Sequence, residues 1–212
     1  MTEILEILKF ASIGGFLGLS AGISPGPLLT LVVSETLKHN RKEGIKIAIS
    51  PLFTDILIVM ASIFVFTGLS QFSSMLGFIS ILGGLFIAFL GWETFSTKSL
   101  VIDQPELPAN SLKKGILANI LNPHPYVFWI TVGAPLALKA YQTDIFAVGS
   151  YFLSFYICLT GSKILIAHFV SKSKAFISNN VYRWIMQLLG ICLFIFSGFF
   201  FYEGAKYLLK LI

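Results

Sequence analysis

Two short motifs in this sequence place prolines at a spacing that interrupts a helix. They are Ser24-Pro25-Gly26-Pro27 and Asn122-Pro123-His124-Pro125, which share the pattern X-Pro-X-Pro. Each proline removes a backbone donor and clashes with the preceding turn, so nearby amides and carbonyls lose their helical partners. Such freed groups can bind an ion or the polar part of a small solute, for example a carboxylate at a helix N-terminus.

Asp55 is the acidic residue that lies deepest within an apolar segment. Placing a carboxylate at the centre of a bilayer costs at least about 2.5 kcal/mol. Such a group is therefore expected to have a bonding partner, to be protonated, or to serve a function. Asp55 is therefore a candidate for binding a cationic group or carrying a proton. A neutral Asp55, hydrogen-bonded inside a helix bundle, is the alternative. Pro51, one turn earlier, frees a carbonyl near it.

Further polar residues lie in the same apolar segments. Lys163 is the natural counter-charge for Asp55, but a lysine near the end of a span can instead extend its ammonium to the interface. Asn119 and Asn122, one turn apart, could line a polar path or bond a neighbouring helix. His124 could titrate near neutral pH or bond a freed carbonyl. Solvation at the interface is the favoured interpretation for three residues near segment ends: Glu35, Glu93 and His168.

Small residues in the apolar segments favour packing roles. Glycines that would allow close helix approach are Gly14, Gly15, Gly18, Gly22, Gly83 and Gly84. Cys158 and Cys192 lie in separate apolar runs, so they are interpreted as core residues rather than as a disulfide.

The composition indicates that the elements carrying these residues lie in a membrane. Of the 212 residues, 56% are hydrophobic and only 12% are charged. A soluble domain has about a quarter charged residues, because its surface must be solvated. The basic residues lie in short loops between apolar runs, so nucleic acid is not an expected partner.

Six apolar segments are each long enough to cross the hydrocarbon, which needs about 20 residues. They lie at about 5–37, 44–67, 72–95, 115–138, 145–170 and 181–209. The first is over-long, which predicts a tilted or broken helix. The N-terminus has no basic region and its apolar run exceeds that of a signal peptide, so we expect it to be retained. The predicted fold is all-α, as a single transmembrane domain over 1–212.

Lysine and arginine in short loops predict the orientation. Ten lie on one side: Lys38, Arg41, Lys42, Lys46, Lys98, Lys113, Lys114, Lys172, Lys174 and Arg183. The other side has four: Lys9, Lys139, Lys206 and Lys210. The odd-numbered loops are therefore expected in the cytoplasm and both termini outside.

The two proline motifs are offset by 98 residues, close to half the chain. Broken helices at corresponding places of two halves are the best sequence-level indication of a transporter site. Three spans per half make the halves inverted repeats, at about 1–97 and 113–212. Counted from the cytoplasmic ends, Pro25, Asp55 and Pro123 lie roughly 18, 16 and 14 Å deep. These depths are near the middle of a core about 30 Å thick.

With these motifs, the chain resembles the LysE/RhtB family of amino-acid exporters along nearly its whole length. The resemblance is carried by the motif at 24–27 after a Gly-rich half-helix, a basic loop leading to Gly44, Asp55, and Leu121-Asn122-Pro123 after Lys114-Gly115. It implies a six-span secondary carrier of a prokaryotic cell membrane, driven by the proton motive force. The functional set that it implies is Pro25, Gly26, Pro27, Asp55, Asn122 and Pro123.

The chain departs from the family pattern at three places. Leu28 stands where the family usually has Asn, Ser50-Pro51 replaces a small Gly-rich stretch, and His124-Pro125 adds a second proline. These departures weaken the transfer of substrate identity more than the transfer of fold.

We therefore expect a proton-coupled exporter of amino acids or related small metabolites, with its site at the bilayer midplane. The expected partners are the small-molecule substrate and the lipid bilayer, and a homo-oligomer is compatible with the sequence. No cofactor, metal site or enzymatic activity is expected. A divalent-cation exporter is the alternative, although it would prefer several acids or histidines at the midplane. A transmembrane relay of electrons through paired thiols would need a cysteine beside each break. An intramembrane hydrolase would need a second deep acid, a serine with a base, or a histidine pair.

Overall fold

The computed structural model describes residues 2–66, 72–96, 110–174 and 178–209. These residues form helices and no strand. The helices are α1 (Thr2–Ile23), α2 (Pro27–Lys38), α3 (Arg41–Ala48), α4 (Ser50–Phe66), α5 (Phe72–Phe95), α6 (Ser111–Ile120), α7 (Pro123–Phe128), a π-helical turn (Trp129–Gly133), α8 (Ala134–Thr143), α9 (Ile145–Lys174) and α10 (Asn179–Leu209).

Four of the described helical stretches are long and apolar enough to cross a membrane. They are Glu3–Ile23, Arg41–Ser62, Ile145–Lys174 and Asn179–Leu209, and Ser80–Phe95 is a shorter apolar helix. Large apolar side chains are exposed along them, among them Phe16, Phe146 and Trp184. A protein in water rarely exposes so many, whereas lipid solvates them. The chain is a multi-pass membrane protein.

Both proline motifs interrupt helices, as the sequence predicted. The first apolar segment divides where α1 ends at Ile23 and α2 begins at Pro27. The fourth divides where α6 ends at Ile120 and α7 begins at Pro123. Each proline that begins a helix stands at its first turn, where a missing amide hydrogen breaks no intrahelical bond. We call these interruptions the first break (24–26) and the second break (121–122).

Glycines let α1 lie directly against α9. A Cβ atom on Gly14 or Gly18 would overlap the carbonyl of Tyr151 or Phe155, and one on Gly22 would overlap the Ser162 hydroxyl. Small residues at such spacing allow close backbone approach between membrane helices. The packing role predicted for these glycines is confirmed.

The same kind of contact joins α5 to α10. Gly84 lies against the Phe201 ring, and the Ser197 hydroxyl donates to the Gly84 carbonyl at 2.8 Å. Gly83 packs on the carbonyl of Leu121, which holds the second break against α5.

A charged cluster ties helix ends together at one end of the bundle. Glu35 is only 2% exposed and accepts hydrogen bonds from Ser111 and from Lys114 Nζ, the latter at 3.1 Å. Lys114 also contacts Glu93 at 2.7 Å, and Lys38 contacts Glu93 at 3.0 Å. Interface solvation was therefore the wrong interpretation for Glu35 and an incomplete one for Glu93. The cause is that α6 begins beside the end of α2, which brings Lys114 next to Glu35.

Two further contacts place the fifth loop at the same end. Lys174 Nζ donates to the carbonyl of His39 at 2.8 Å, and Arg41 lies 3.0 Å from His168 Nδ1. His168 was also assigned to interface solvation, and it has this cationic neighbour in addition. Basic residues from the first, third and fifth loops, namely Lys38, Arg41, Lys114 and Lys174, thus meet at one end. Lys98 lies outside the described residues.

Candidate functional site

A cavity of about 550 Å³ lies between the two breaks. Nine of the ten residues predicted to form the site line it: Ser24, Pro25, Gly26, Pro27, Asp55, Asn119, Asn122, His124 and Lys163. Pro123, the tenth, is buried beside the cavity without lining it. Helices α1, α2, α4, α6, α7, α9 and α10 and the π-helical turn all contribute to the lining, so residues far apart in sequence face one space.

The first break is open on its α2 side. Gly26 is the residue before α2, its backbone is extended, and it has no side chain with which to cap the helix. Its carbonyl accepts from both the amide and the hydroxyl of Thr30, each at 3.0 Å. A Cβ atom on Gly26 would meet nothing within 4 Å. The N-terminal end of α2, with its partial positive charge, therefore opens toward the cavity.

Lys163 completes the first break on its α1 side. Its ammonium donates to the carbonyls of Ala21 at 3.1 Å and Gly22 at 2.7 Å, and the residue is 3% exposed. The interface interpretation was wrong, because Lys163 is buried. The counter-charge interpretation holds in part: among the described residues Lys163 makes no direct ion pair with Asp55, but the two opposite charges attract each other. A cation at the C-terminal end of a helix satisfies free carbonyls and complements the helix dipole.

The second break satisfies its own ends. The Asn122 side chain accepts from the His124 amide at 3.0 Å, which caps α7, and the Tyr126 hydroxyl donates to the carbonyl of Ile120 at 3.0 Å. Among the described residues, the His124 ring forms no bond to a freed carbonyl. It lies 4.0 Å from the carboxyl of Glu203 and tilts over Phe200.

Asp55 is 4% exposed and held by polar neighbours. Asn119 Nδ2 donates to its carboxyl at 2.8 Å and to the Thr54 hydroxyl at 2.6 Å, so α6 is bonded to α4. The side chains of Trp129 and Tyr156 also lie close to the Asp55 carboxyl. Of the two roles predicted for Asn119, it performs the helix-bonding one and lines the cavity as well.

Trp129 and Tyr156 are residues that the sequence reasoning missed. Trp129 begins the π-helical turn and is 1% exposed, and its ring lies against Gly133, where a Cβ atom would overlap it. π-Helical turns occur often at functional sites, because the extra residue re-aims the side chains around it. An apolar span with many aromatic residues has no local signal that marks which ring faces an acid.

The aromatic residues around Asp55 form one packed wall. The rings of Phe128 and Phe155 stack at 5.6 Å, and Trp129 meets Phe155 edge-on at 5.2 Å. Tyr156 contacts Phe155 at 5.2 Å as well. The wall places aromatic rings next to the Asp55 carboxyl. A cationic group bound there would be attracted both by the carboxylate charge and by the faces of the rings.

The arrangement can bind opposite charges at separate points. Asp55 offers a carboxyl to the cavity, and Lys163 and the start of α2 offer positive charge to it. Among the described residues, no group of three or more His, Cys, Asp or Glu side chains is placed to hold a metal ion.

A family described as LysE type translocator matches residues 19–204, a stretch that includes both breaks, Asp55 and Lys163. No curated protein and no solved structure matches the chain.

Proposed function

The chain belongs to the LysE type translocator family, and on that premise we propose that it is a secondary-active exporter of amino acids or related small metabolites. The family is one of transporters of small molecules. The observation that carries the finer proposal is the convergence of two broken helices, a buried carboxyl and a buried ammonium on one cavity. Discontinuous helices around a central site are typical of secondary transporters.

We assign roles to the charged groups from their surroundings. Asp55 binds the amino group of the substrate or carries the coupling proton, since its carboxyl lies beside the aromatic wall and faces the cavity. The amides at the start of α2 and the ammonium of Lys163 bind a carboxylate, because both present positive charge to the same space. Asn122 and Pro123 shape the second break, and Asn119 orients Asp55.

The proposed architecture is one transmembrane domain of six spans, in two inverted repeats over about 1–97 and 113–212. The helix contacts support it. The first span packs on the fifth through α1 and α9, the fourth contacts the second through α6 to α8 and α4, and the third packs on the sixth through α5 and α10. If spans one, two and three correspond to spans four, five and six, the contact of span one with span five corresponds to the contact of span four with span two. The contact of span three with span six then corresponds to itself. Transport would then proceed by one repeat rocking against the other.

The proposed location is the cell membrane of a prokaryote, with both termini outside. The excess of lysine and arginine in the odd-numbered loops supports it. The charged cluster of Glu35, Lys38, Glu93 and Lys114 would face the cytoplasm.

Asp55→Asn tests the proposed function. In proteoliposomes with an imposed pH gradient, we expect the wild-type protein to transport amino acids and Asp55→Asn to abolish that transport, because the variant loses the charge that binds an amino group or releases a proton. Full transport by the variant would refute the role of Asp55. Thermal unfolding of both purified proteins would check that the variant folds.

Asp144→Asn is the matched control. Asp144 caps α9 by accepting from the Phe146 amide at 2.6 Å, and asparagine caps a helix equally well. We expect its transport to equal that of the wild type. Transport of Mn²⁺ but of no amino acid or related metabolite by the wild type would replace the proposal with the divalent-cation alternative.

A further inference from the structure

The cavity also restricts the chemical class of the substrate. Resting on the proposed function, we propose that the cargo is a net-neutral amino acid with a large apolar or aromatic side chain, rather than a basic, acidic or small polar one. The charges and the apolar wall of the cavity support this proposal.

The charges that line the cavity are balanced. Among its lining residues, Asp55 contributes one negative charge and Lys163 one positive charge. His124 also lines it, and the carboxyl of Glu203 stands 4.0 Å from its ring. A zwitterion can pair its amino group with Asp55 and its carboxylate with Lys163. A cargo with an additional charge would bring a buried charge that no lining group neutralises, which strongly disfavours binding.

Lys163 has a donor available for this pairing. A lysine ammonium has three donors, and within the described structure two of them are used by the carbonyls of Ala21 and Gly22. The same two bonds fix the ammonium at the edge of the first break, next to the open start of α2. A substrate carboxylate there would receive the third donor of Lys163.

The remaining lining is largely apolar and roomy. Phe128, Phe155 and Phe196 present rings to the cavity, and Leu17, Leu28 and Leu159 present aliphatic groups. The volume of about 550 Å³ falls within the roughly 300–1,000 Å³ of sites that bury drug-sized ligands. Alanine or serine would leave most of this wall uncovered, whereas leucine or phenylalanine would contact it.

Solute counterflow with purified wild-type protein in proteoliposomes tests the inference, because it is independent of the direction of coupling. In each assay, liposomes loaded with one unlabelled amino acid would take up the same amino acid in labelled form. The five amino acids compared are phenylalanine, leucine, serine, lysine and glutamate. We expect phenylalanine and leucine to exchange at least about tenfold faster than serine, lysine or glutamate. Exchange of serine, lysine or glutamate as fast as that of leucine would overturn the inference while leaving the proposed function intact. Exchange of no amino acid at all would overturn both.

A pair of variants on α10 tests the contribution of the wall. Phe196→Ala removes a ring from the lining, and we expect KM for phenylalanine to rise by about tenfold while KM for alanine stays unchanged. Phe199→Ala, the same substitution on the same helix at a site that faces outward, should change neither value. Equal effects of the two variants, or an equal effect of Phe196→Ala on both substrates, would count against the wall as the source of selectivity.

Discussion

The first and second breaks contain the same X-Pro-X-Pro pattern but satisfy their backbone groups in different ways. At the second break, Asn122 and Tyr126 come from the interrupted segment itself and bond both helix ends. At the first break, Gly26 provides no cap, and the free carbonyls of α1 are bonded by Lys163 from a helix in the other half of the chain. The free backbone groups of the second break are bonded by side chains of its own segment, whereas those of the first break are bonded by a side chain from α9.

This difference indicates a division of labour. A break whose ends are satisfied locally is a fixed piece of scaffold, and the second break is also packed against α5 through Gly83. A break with an uncapped helix start retains backbone donors for a ligand. We infer that the first break contacts the substrate carboxylate and that the second positions Asn119, and through it Asp55.

Among changes at the two breaks, the largest effect is expected from Lys163→Met, which removes the external partner of the first break. The carbonyls of Ala21 and Gly22 would lose their donor, which costs about 1–3 kcal/mol. The substrate would lose a cation, so we expect transport to fall at least about thirtyfold. Counterflow rates and thermal unfolding would measure the two effects. Lys163→Arg is the control and should retain part of both, whereas unchanged transport in Lys163→Met would remove Lys163 from the site.

A smaller effect on transport, without loss of stability, is expected from Gly26→Ala. A Cβ atom there meets nothing within 4 Å, and the extended backbone suits alanine, so folding should be unchanged or stabilised by up to about 1 kcal/mol. Because the methyl group would enter the cavity beside the start of α2, we expect transport to fall by about tenfold.

Gly18→Ala is the matched control for that substitution. Its Cβ atom would overlap the Phe155 carbonyl, so the variant should separate α1 from α9 and lower the melting temperature. If Gly26→Ala destabilised the protein as much as Gly18→Ala, the first break would be a packing element rather than an open one.

The smallest effect is expected from Asn122→Ala at the second break. Loss of an N-cap side chain costs about 1 kcal/mol, and the variant should transport in proportion to the protein that remains folded. Asn122→Ser, which keeps a capping oxygen, should restore most of the stability. Unfolding midpoints and transport per folded molecule would separate the effects. A loss of transport in a fully stable Asn122→Ala would give the second break a direct role in binding.

The sequence alone predicted the interruptions and much of the cavity. Proline removes a donor wherever it stands in a helix, so both breaks followed from residue type. Counting residues from the cytoplasmic ends predicted one shared depth for Pro25, Asp55 and Pro123 before any contact was known. Pattern and composition suffice for these features, because the hydrocarbon of the bilayer cannot hydrogen-bond polar groups. Prolines and charged residues within an apolar span therefore stand out in the sequence.

Other predictions failed where a partner had to be chosen. Glu35 was assigned to the interface, yet the start of α6 supplies Ser111 and Lys114 and buries it. Lys163 was expected to act as the counter-charge of Asp55 or to reach the interface, and its ammonium bonds the carbonyls at the end of α1. In both cases the partner comes from another helix, and its distance depends on how the helices are rotated against each other.

What the sequence by itself determined is the membrane environment, the helical class and the places where helices must stop, since these follow from composition and backbone chemistry. Only the tertiary structure decided that Trp129 and Tyr156 face Asp55 and that Lys163 completes the first break. The physical reason is that a span rich in Phe, Leu and Ile has apolar residues on every side. Its rotation is then set by close packing at Gly14, Gly18 and Gly22 against α9, rather than by an apolar face written in its own sequence.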